Sequence, residues 1–177
     1  VGTKFGMSGR SNPLTAGVGG MGSGAGGGGG GGGGIPVGTT SGNPASSAVQ
    51  IRDSGQSAEG AYWISIPSVG TTQIYCAPSS SFAGGGWMLA WKCTRGSRFP
   101  FDSNYWTSTN TYRETDMSRS DNDAKYHTYN YYSCSDVLAI FPDLNNGGQA
   151  SGYGGGWSWY QPNINMTMRS RLQSQYQ

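Results

Sequence analysis

The chain has 177 residues, 32 of them glycine, with 11 basic and 9 acidic side chains and a formal net charge of +2. From residue 43 onward the two signs balance at nine each, so no basic field draws a phosphate backbone, and nucleic acid is excluded as the expected partner. No run approaches the ~18 apolar residues of a membrane span, so no membrane insertion is expected.

Residues 1–42 form the first region, expected to be a glycine-rich arm or linker. They hold nineteen of the glycines, one aromatic (Phe5) and two charges (Lys4, Arg10). Nine consecutive glycines fill positions 26–34, each losing more backbone entropy on ordering than any other residue would. Two readings follow. One is a flexible tether that gives the next region reach. The other is an extended polyglycine strand packed among neighbouring copies, which would meet its many bare N–H and C=O groups. There is no Gly-X-Y period, so collagen is excluded. The first residues lack the charged-then-apolar pattern of a secretory leader. The first residue is Val1, which reads as a processed or partial chain and leaves export open.

Residues 43–177 hold 21 of the 22 aromatics and are long enough to bury one core. The apolar runs are short and separated by Gly, Pro, Asn and Ser: AVQIRD, AYWISIP, TQIYC, WMLAWKC and VLAIFPDL. Near-alternation over 61–66 and 72–76, with Ser68-Val69-Gly70 between them, predicts a β-hairpin. A third strand is expected over 86–93 after a triple glycine, and another over 137–141. The polar stretch 107–123 reads as a surface excursion, followed by one short helix near 123–131. Helices are otherwise expected to be scarce, which gives a mixed α+β class, strand-rich and irregular. Cys76, Cys93 and Cys134 are too few for a disulfide scaffold and too scattered for a zinc site; a Cys76–Cys93 bridge is one option, and the odd count leaves at least one thiol.

The segment EGAYWISIPSVGTTQIYCAPSSSFAGGGWMLAWKC, residues 59–93, resembles the opening of a fibrinogen-like C-terminal domain. Tyr62, Ile64, Pro67, Cys76, Gly84, Gly85, Gly86 and Trp87 occupy the places of that pattern. Residues 104–143, NYWTSTNTYRETDMSRSDNDAKYHTYNYYSCSDVLAIFPD, are similar to the middle of intelectin-like lectin modules and of the fibrinogen-like adhesins found on phage fibres. The resemblance implies a fibrinogen-like globular domain used for recognition outside cells rather than for catalysis. Two departures stand out. Positions 43–60 contain no cysteine to pair with Cys76, as the family would have. The 34 residues after Asp143 leave little room for the subdomain in which the family holds calcium and its acetyl or diol ligand, so no ligand site is carried over.

Candidate chemistry is sparse. The single histidine, His127, has no Gly-x-Ser-x-Gly elbow to serve. Seven of the nine carboxylates (Glu59, Glu114, Asp116, Asp121, Asp123, Asp136, Asp143) are candidates for glycoside cleavage, but no spacing selects a pair. The dense oxygen cluster from Asp116 to Asp123, with Asp121 and Asp123 as candidate metal ligands, reads either as a Ca2+ loop or as a solvated Asx turn; it lacks the Gly and Glu of an EF-hand. The C-terminal run supplies Asn145, Asn146, Tyr153, Trp157, Trp159 and Tyr160. Flat rings between polar loops suit pyranose stacking, with amides for the hydroxyls; equally, Trp157 fits as core. The expected function is a non-enzymatic virion structural or adhesive protein, a fibre or capsid decoration at the virion or extracellular surface. It would be a homo-oligomer, expected as a trimer, contacting other virion proteins and a cell-surface glycan. The alternatives are a self-assembling structural subunit without ligand, and a polysaccharide-cleaving enzyme.

Overall fold

The computed structural model describes residues 35–79, 84–93, 98–120, 122–141 and 157–175, with the backbone alone for residues 141 and 157–159. Small antiparallel sheets and short helices alternate in an irregular mixed α and β arrangement. No helix among the described residues is long and apolar enough to cross a membrane.

The chain enters through a tight turn, Gly38 N–H donating to Asn43 C=O at 2.7 Å. Residues 38–45 then run along the outer edge of the first strand: Trp63 N–H donates to Gly38 C=O, and Ala45 exchanges backbone bonds with Trp63 and Ser65, all at 2.8 Å. An edge that would otherwise offer unpaired N–H and C=O groups is thereby covered.

Helix α1 (Ala48–Asp53) was not expected. Its start is written in Ser47-x-x-Gln50: Ser47 Oγ accepts from Gln50 N at 3.1 Å, while Gln50 Oε1 accepts from Ser46 N at 2.7 Å. This is a near-relative of the capping box, shifted by one position on the return bond. Ala48 and Ile51, three apart, are buried.

Strands β1 (Gly60–Ile66) and β2 (Gly70–Ala77) form the predicted hairpin, in register from Gly60 opposite Cys76 to Ile66 opposite Gly70. Tyr62, Ile64 and Ile66 alternate inward on β1, as Ile74 and Cys76 do on β2. The turn takes positive φ at Ser68 (65°) and Gly70 (93°).

The single strand expected over 86–93 is two. Strand β3 (Trp87–Met88) extends the hairpin sheet, Met88 lying opposite Cys76. Strand β4 (Trp91–Lys92) leaves it and pairs with β5 (Ala124–Lys125). The crossover at Leu89 and Ala90 keeps its backbone groups engaged: Leu89 N–H donates to Tyr75 C=O, and Ala90 C=O accepts from Tyr126 N–H. A run apolar at every position from Trp87 to Trp91 carries no alternation to reveal that it serves two sheets. The triple glycine before it is needed for space as well as for φ. At Gly86 (φ +81°) a Cβ would sit 2.6 Å from Val49 Cγ2 of α1, so no side chain fits between helix and sheet.

Helix α2 (His127–Tyr131) begins four residues later than expected, since 124–125 are spent on β5. Strand β6 (Val137–Phe141) is the predicted last core strand, paired in antiparallel register with β7 (Trp157–Gln161). Helix α3 (Met168–Gln173) closes the description, capped by Thr167 Oγ1 accepting from Ser170 N at 3.0 Å.

Three apolar clusters form among the described residues. The first joins α1 to the hairpin through Ile51, Ile64, Ile66, Ile74, Tyr126 and Tyr132. The second gathers Trp91, Phe99, Tyr129, Val137, Ile164 and Met168. A small third contains Ala77, Trp87, Leu138 and Ile140. Cys76, Cys93 and Cys134 are buried thiols and no bridge joins them, so the Cys76–Cys93 option is not the one taken. Burial pushes the Cys76 thiol up and the Cys134 thiol to about 12, well away from a reactive thiolate.

Candidate binding surfaces

Of the residues singled out in the C-terminal run, Asn145, Asn146 and Tyr153 lie outside the described residues. Trp157 and Trp159 occupy alternate positions of β7, opposite Phe141 and Ala139 in register; their side chains are outside the description. Tyr160, opposite Leu138, is 39% exposed. Its ring meets buried Trp87 edge-on, with centroids 6.3 Å apart and planes at 86°, the T-shaped arrangement that a ring quadrupole favours. An exposed aromatic is thus held from behind by the third cluster.

In the polar excursion, Asp121 lies outside the described residues, and Asp123 Oδ2 accepts the backbone N–H of Arg98 at 2.8 Å. The organising residue is Asp116. Its Oδ2 accepts from Lys92 Nζ at 3.0 Å and Asn122 Nδ2 at 2.6 Å. Its Oδ1 accepts from Ser118 N at 3.0 Å and from Ser118 Oγ, while its carbonyl accepts from the Tyr126 hydroxyl. Desolvation works to raise the Asp116 pKa, but hydrogen bonds from Ser118, Lys92 and Asn122 outweigh it and hold the carboxyl well below the usual range. These oxygens face N–H and O–H donors, and Lys92 already supplies the counter-charge. That donor set does not fit Ca2+, which needs six to eight oxygens turned toward one point. No cluster of three or more His, Cys, Asp or Glu able to hold a metal occurs among the described residues.

A second buried ion serves a similar purpose. Lys125, 1% exposed, donates from Nζ to the carbonyls of Tyr105 and Ser108 and lies 4.6 Å from the Tyr129 ring centroid. Desolvation, with Arg169 nearby, lowers its pKa to about 8. Glu59 ties the hairpin to the excursion: its Oε2 accepts from Tyr75 OH and from Arg119, both at 2.8 Å. Burial, then the Glu59 carboxylate, lifts the Tyr75 phenol to about 12.

Sequence reasoning missed an aromatic wall built by residues 98–112. Phe99 packs against Tyr105, Trp106 and Tyr112, with centroids 5.1, 5.6 and 6.0 Å away. Trp106 Nε1 is fixed on Pro100 C=O at 2.7 Å, and Tyr129 OH on Trp106 C=O at 2.9 Å. Tyr112 is half-buried, and the guanidinium carbons of Arg98 and Arg113 lie 5.5 and 5.4 Å from its centroid. The available signal was the interleaving of basic and aromatic residues in Arg98-Phe99-Pro100-Phe101 and Tyr112-Arg113. It was obscured because the polar composition of 107–123 marks only an exposed loop. No protein-family model, no curated protein and no solved structure matches the chain.

Proposed function

We propose that this chain is a non-enzymatic adhesive module of a virion fibre or capsid decoration. On this reading residues 43–177 form a fibrinogen-like domain, the glycine-rich arm attaches it to neighbouring virion proteins, and a homotrimer displays it toward host-surface glycans. The single observation that carries the reading is Tyr160, a half-exposed ring backed edge-on by buried Trp87, on the strand that also holds Trp157 and Trp159. A rigidly backed ring loses little entropy when a sugar face stacks on it, and repeated copies multiply weak single-site affinities. Asn145, Asn146 and Tyr153 would complete the site with two amides and a further tyrosine ring.

The test is a glycan array probed with the whole chain. Binding is expected, with up to about a tenfold loss in Tyr160→Ala, the scale of one lost aromatic contact. Absence of binding to every glycan, with the protein folded, would overturn the reading. The rival is a self-assembling subunit without ligand, in which the half-exposed Tyr160 would be a contact between copies. Burial of Tyr160 against a sister subunit would decide for that rival.

A further inference from the structure

The geometry points to a second binding site, for an oxyanion carried by an acidic saccharide, at Arg98, Tyr112 and Arg113. Two guanidinium groups converge on one ring, each within 5.5 Å of its centroid. Among the described residues neither forms an ion pair with a carboxylate within 4.0 Å. A third cation, Lys125, sits on the adjacent backbone: Tyr112 and Lys125 exchange N–H···O=C bonds at 3.0 and 2.8 Å. The Lys125 ammonium likewise rests on carbonyls rather than on a carboxylate. Arg98 and Arg113 carry the same charge around one ring, and an anion that enters beside them is attracted to both. Asp123 turns an oxygen to the backbone N–H of Arg98, and Asp116 is engaged by Lys92, Ser118 and Asn122.

The support is rigid. Tyr112 is pinned by its bridge to Lys125 and by ring contacts to Phe99 and Tyr105, both at 6.0 Å. Arg113 holds a left-handed backbone (φ 45°), unusual for a long side chain, closed by Asp116 N–H donating to its carbonyl at 3.0 Å. Arg98 and Arg113 are exposed while Phe99 beneath is buried. Two planar forks beside an aromatic face match a carboxylate, sulfate or phosphate on a sugar ring, with the anion on the guanidiniums and the ring's C–H face on tyrosine. The saccharide as carrier rests on the adhesive reading above; the oxyanion follows from the cations alone.

The experiment titrates the whole chain with three probes: a galacturonate tetrasaccharide, its fully methyl-esterified form, and inorganic phosphate, each at 0.05 and 0.5 M NaCl. The acid form is expected to bind at least about tenfold more tightly than the ester, the scale of one lost charge-assisted bond, and to weaken with salt. Arg98→Gln/Arg113→Gln should erase that preference, and Tyr112→Leu should weaken the acid and ester forms together; unchanged melting temperatures certify the fold of each variant. Equal binding of acid and ester, or a preference that survives in the double variant, overturns the inference while leaving the glycan reading intact. Phosphate binding that the double variant loses, with no oligosaccharide bound, upholds the oxyanion site and overturns the saccharide carrier, while the adhesive reading stands or falls on the glycan array.

Discussion

The β1–β2 hairpin and the excursion at 112–123 are both ordered, by opposite means. In the hairpin, Ile64, Ile66 and Ile74 are almost wholly removed from water, and every second residue contributes apolar area worth about 1.5–3 kcal/mol. The excursion offers little hydrocarbon. It is held by one carboxylate that takes four hydrogen bonds, two of them from Ser118 and one each from Lys92 and Asn122. Non-directional burial tolerates changes of pH and salt, whereas an ion-centred loop depends on one charge state. The surface loops that carry Tyr112 and Arg113 are therefore the part of the molecule most exposed to conditions.

The largest expected effects separate the two mechanisms directly. Ile64→Ala should cost about 4 kcal/mol, since Ile64 is fully buried and the cavity adds to the transfer loss. Asp116→Asn should cost about 3 kcal/mol, the low end for breaking a buried pair, because its side chain keeps 21% exposure while Lys92 keeps only 3%. Their pH dependence should differ in kind. The folded Asp116 pKa is depressed, so its contribution is full above the unfolded value of about 4 and is lost as pH falls below it. Urea unfolding at pH 7, 4 and 2.5 should therefore show the cost of Asp116→Asn shrinking with acid and that of Ile64→Ala holding constant. A constant penalty for both would show that the excursion is held by packing instead.

A smaller effect tests where the hairpin region meets α1. Gly86→Ala combines a left-handed φ, costing about 1–2 kcal/mol, with a contact to Val49 Cγ2 of 2.6 Å, for about 3 kcal/mol in all. Val49→Ala removes the struck methyl, so the double variant should recover the steric part and retain the φ part. Thermal melts of the four proteins measure the split; an additive pair would place the whole cost in the backbone.

The same contrast explains what the sequence made legible. Alternation at Tyr62, Ile64 and Ile66 and the turn at 68–70 specify the hairpin because period and pleat coincide. The β6 strand was legible as an isolated apolar run before Pro142. The excursion was not, because Asp116, Ser118 and Asn122 look the same in a calcium loop, a solvated turn or a lysine-centred cage. Only the position of Lys92, 24 residues away, distinguishes them. The paired arginines on Tyr112 required the fold as well, since Arg98 reaches that ring from across the 98–112 loop. Of the candidate ring residues of the C-terminal run, Tyr160 was legible as aromatic, but its support by Trp87 depends on a contact between two sheets.

Helix α1 offers the finest test, because it was missed for want of length rather than for want of a signal. Six residues are too few to form a helix in water unaided, so its stability comes from docking Ala48 and Ile51 and from the bonds at its start. Ser47→Ala removes the acceptor for Gln50 N–H and should cost about 1 kcal/mol. Gln50→Ala should cost less, since the Ser46 N–H it leaves behind is exposed and can turn to water. Because Val49 abuts Gly86, a helix already frayed by Ser47→Ala can yield to a new methyl. Ser47→Ala and Gly86→Ala should then cost less together than the sum of their separate effects in urea melts, by a few tenths of a kcal/mol or more. Strict additivity would mean that the helix holds its place on the sheet without its cap, and that docking alone orders the entrance to the first core.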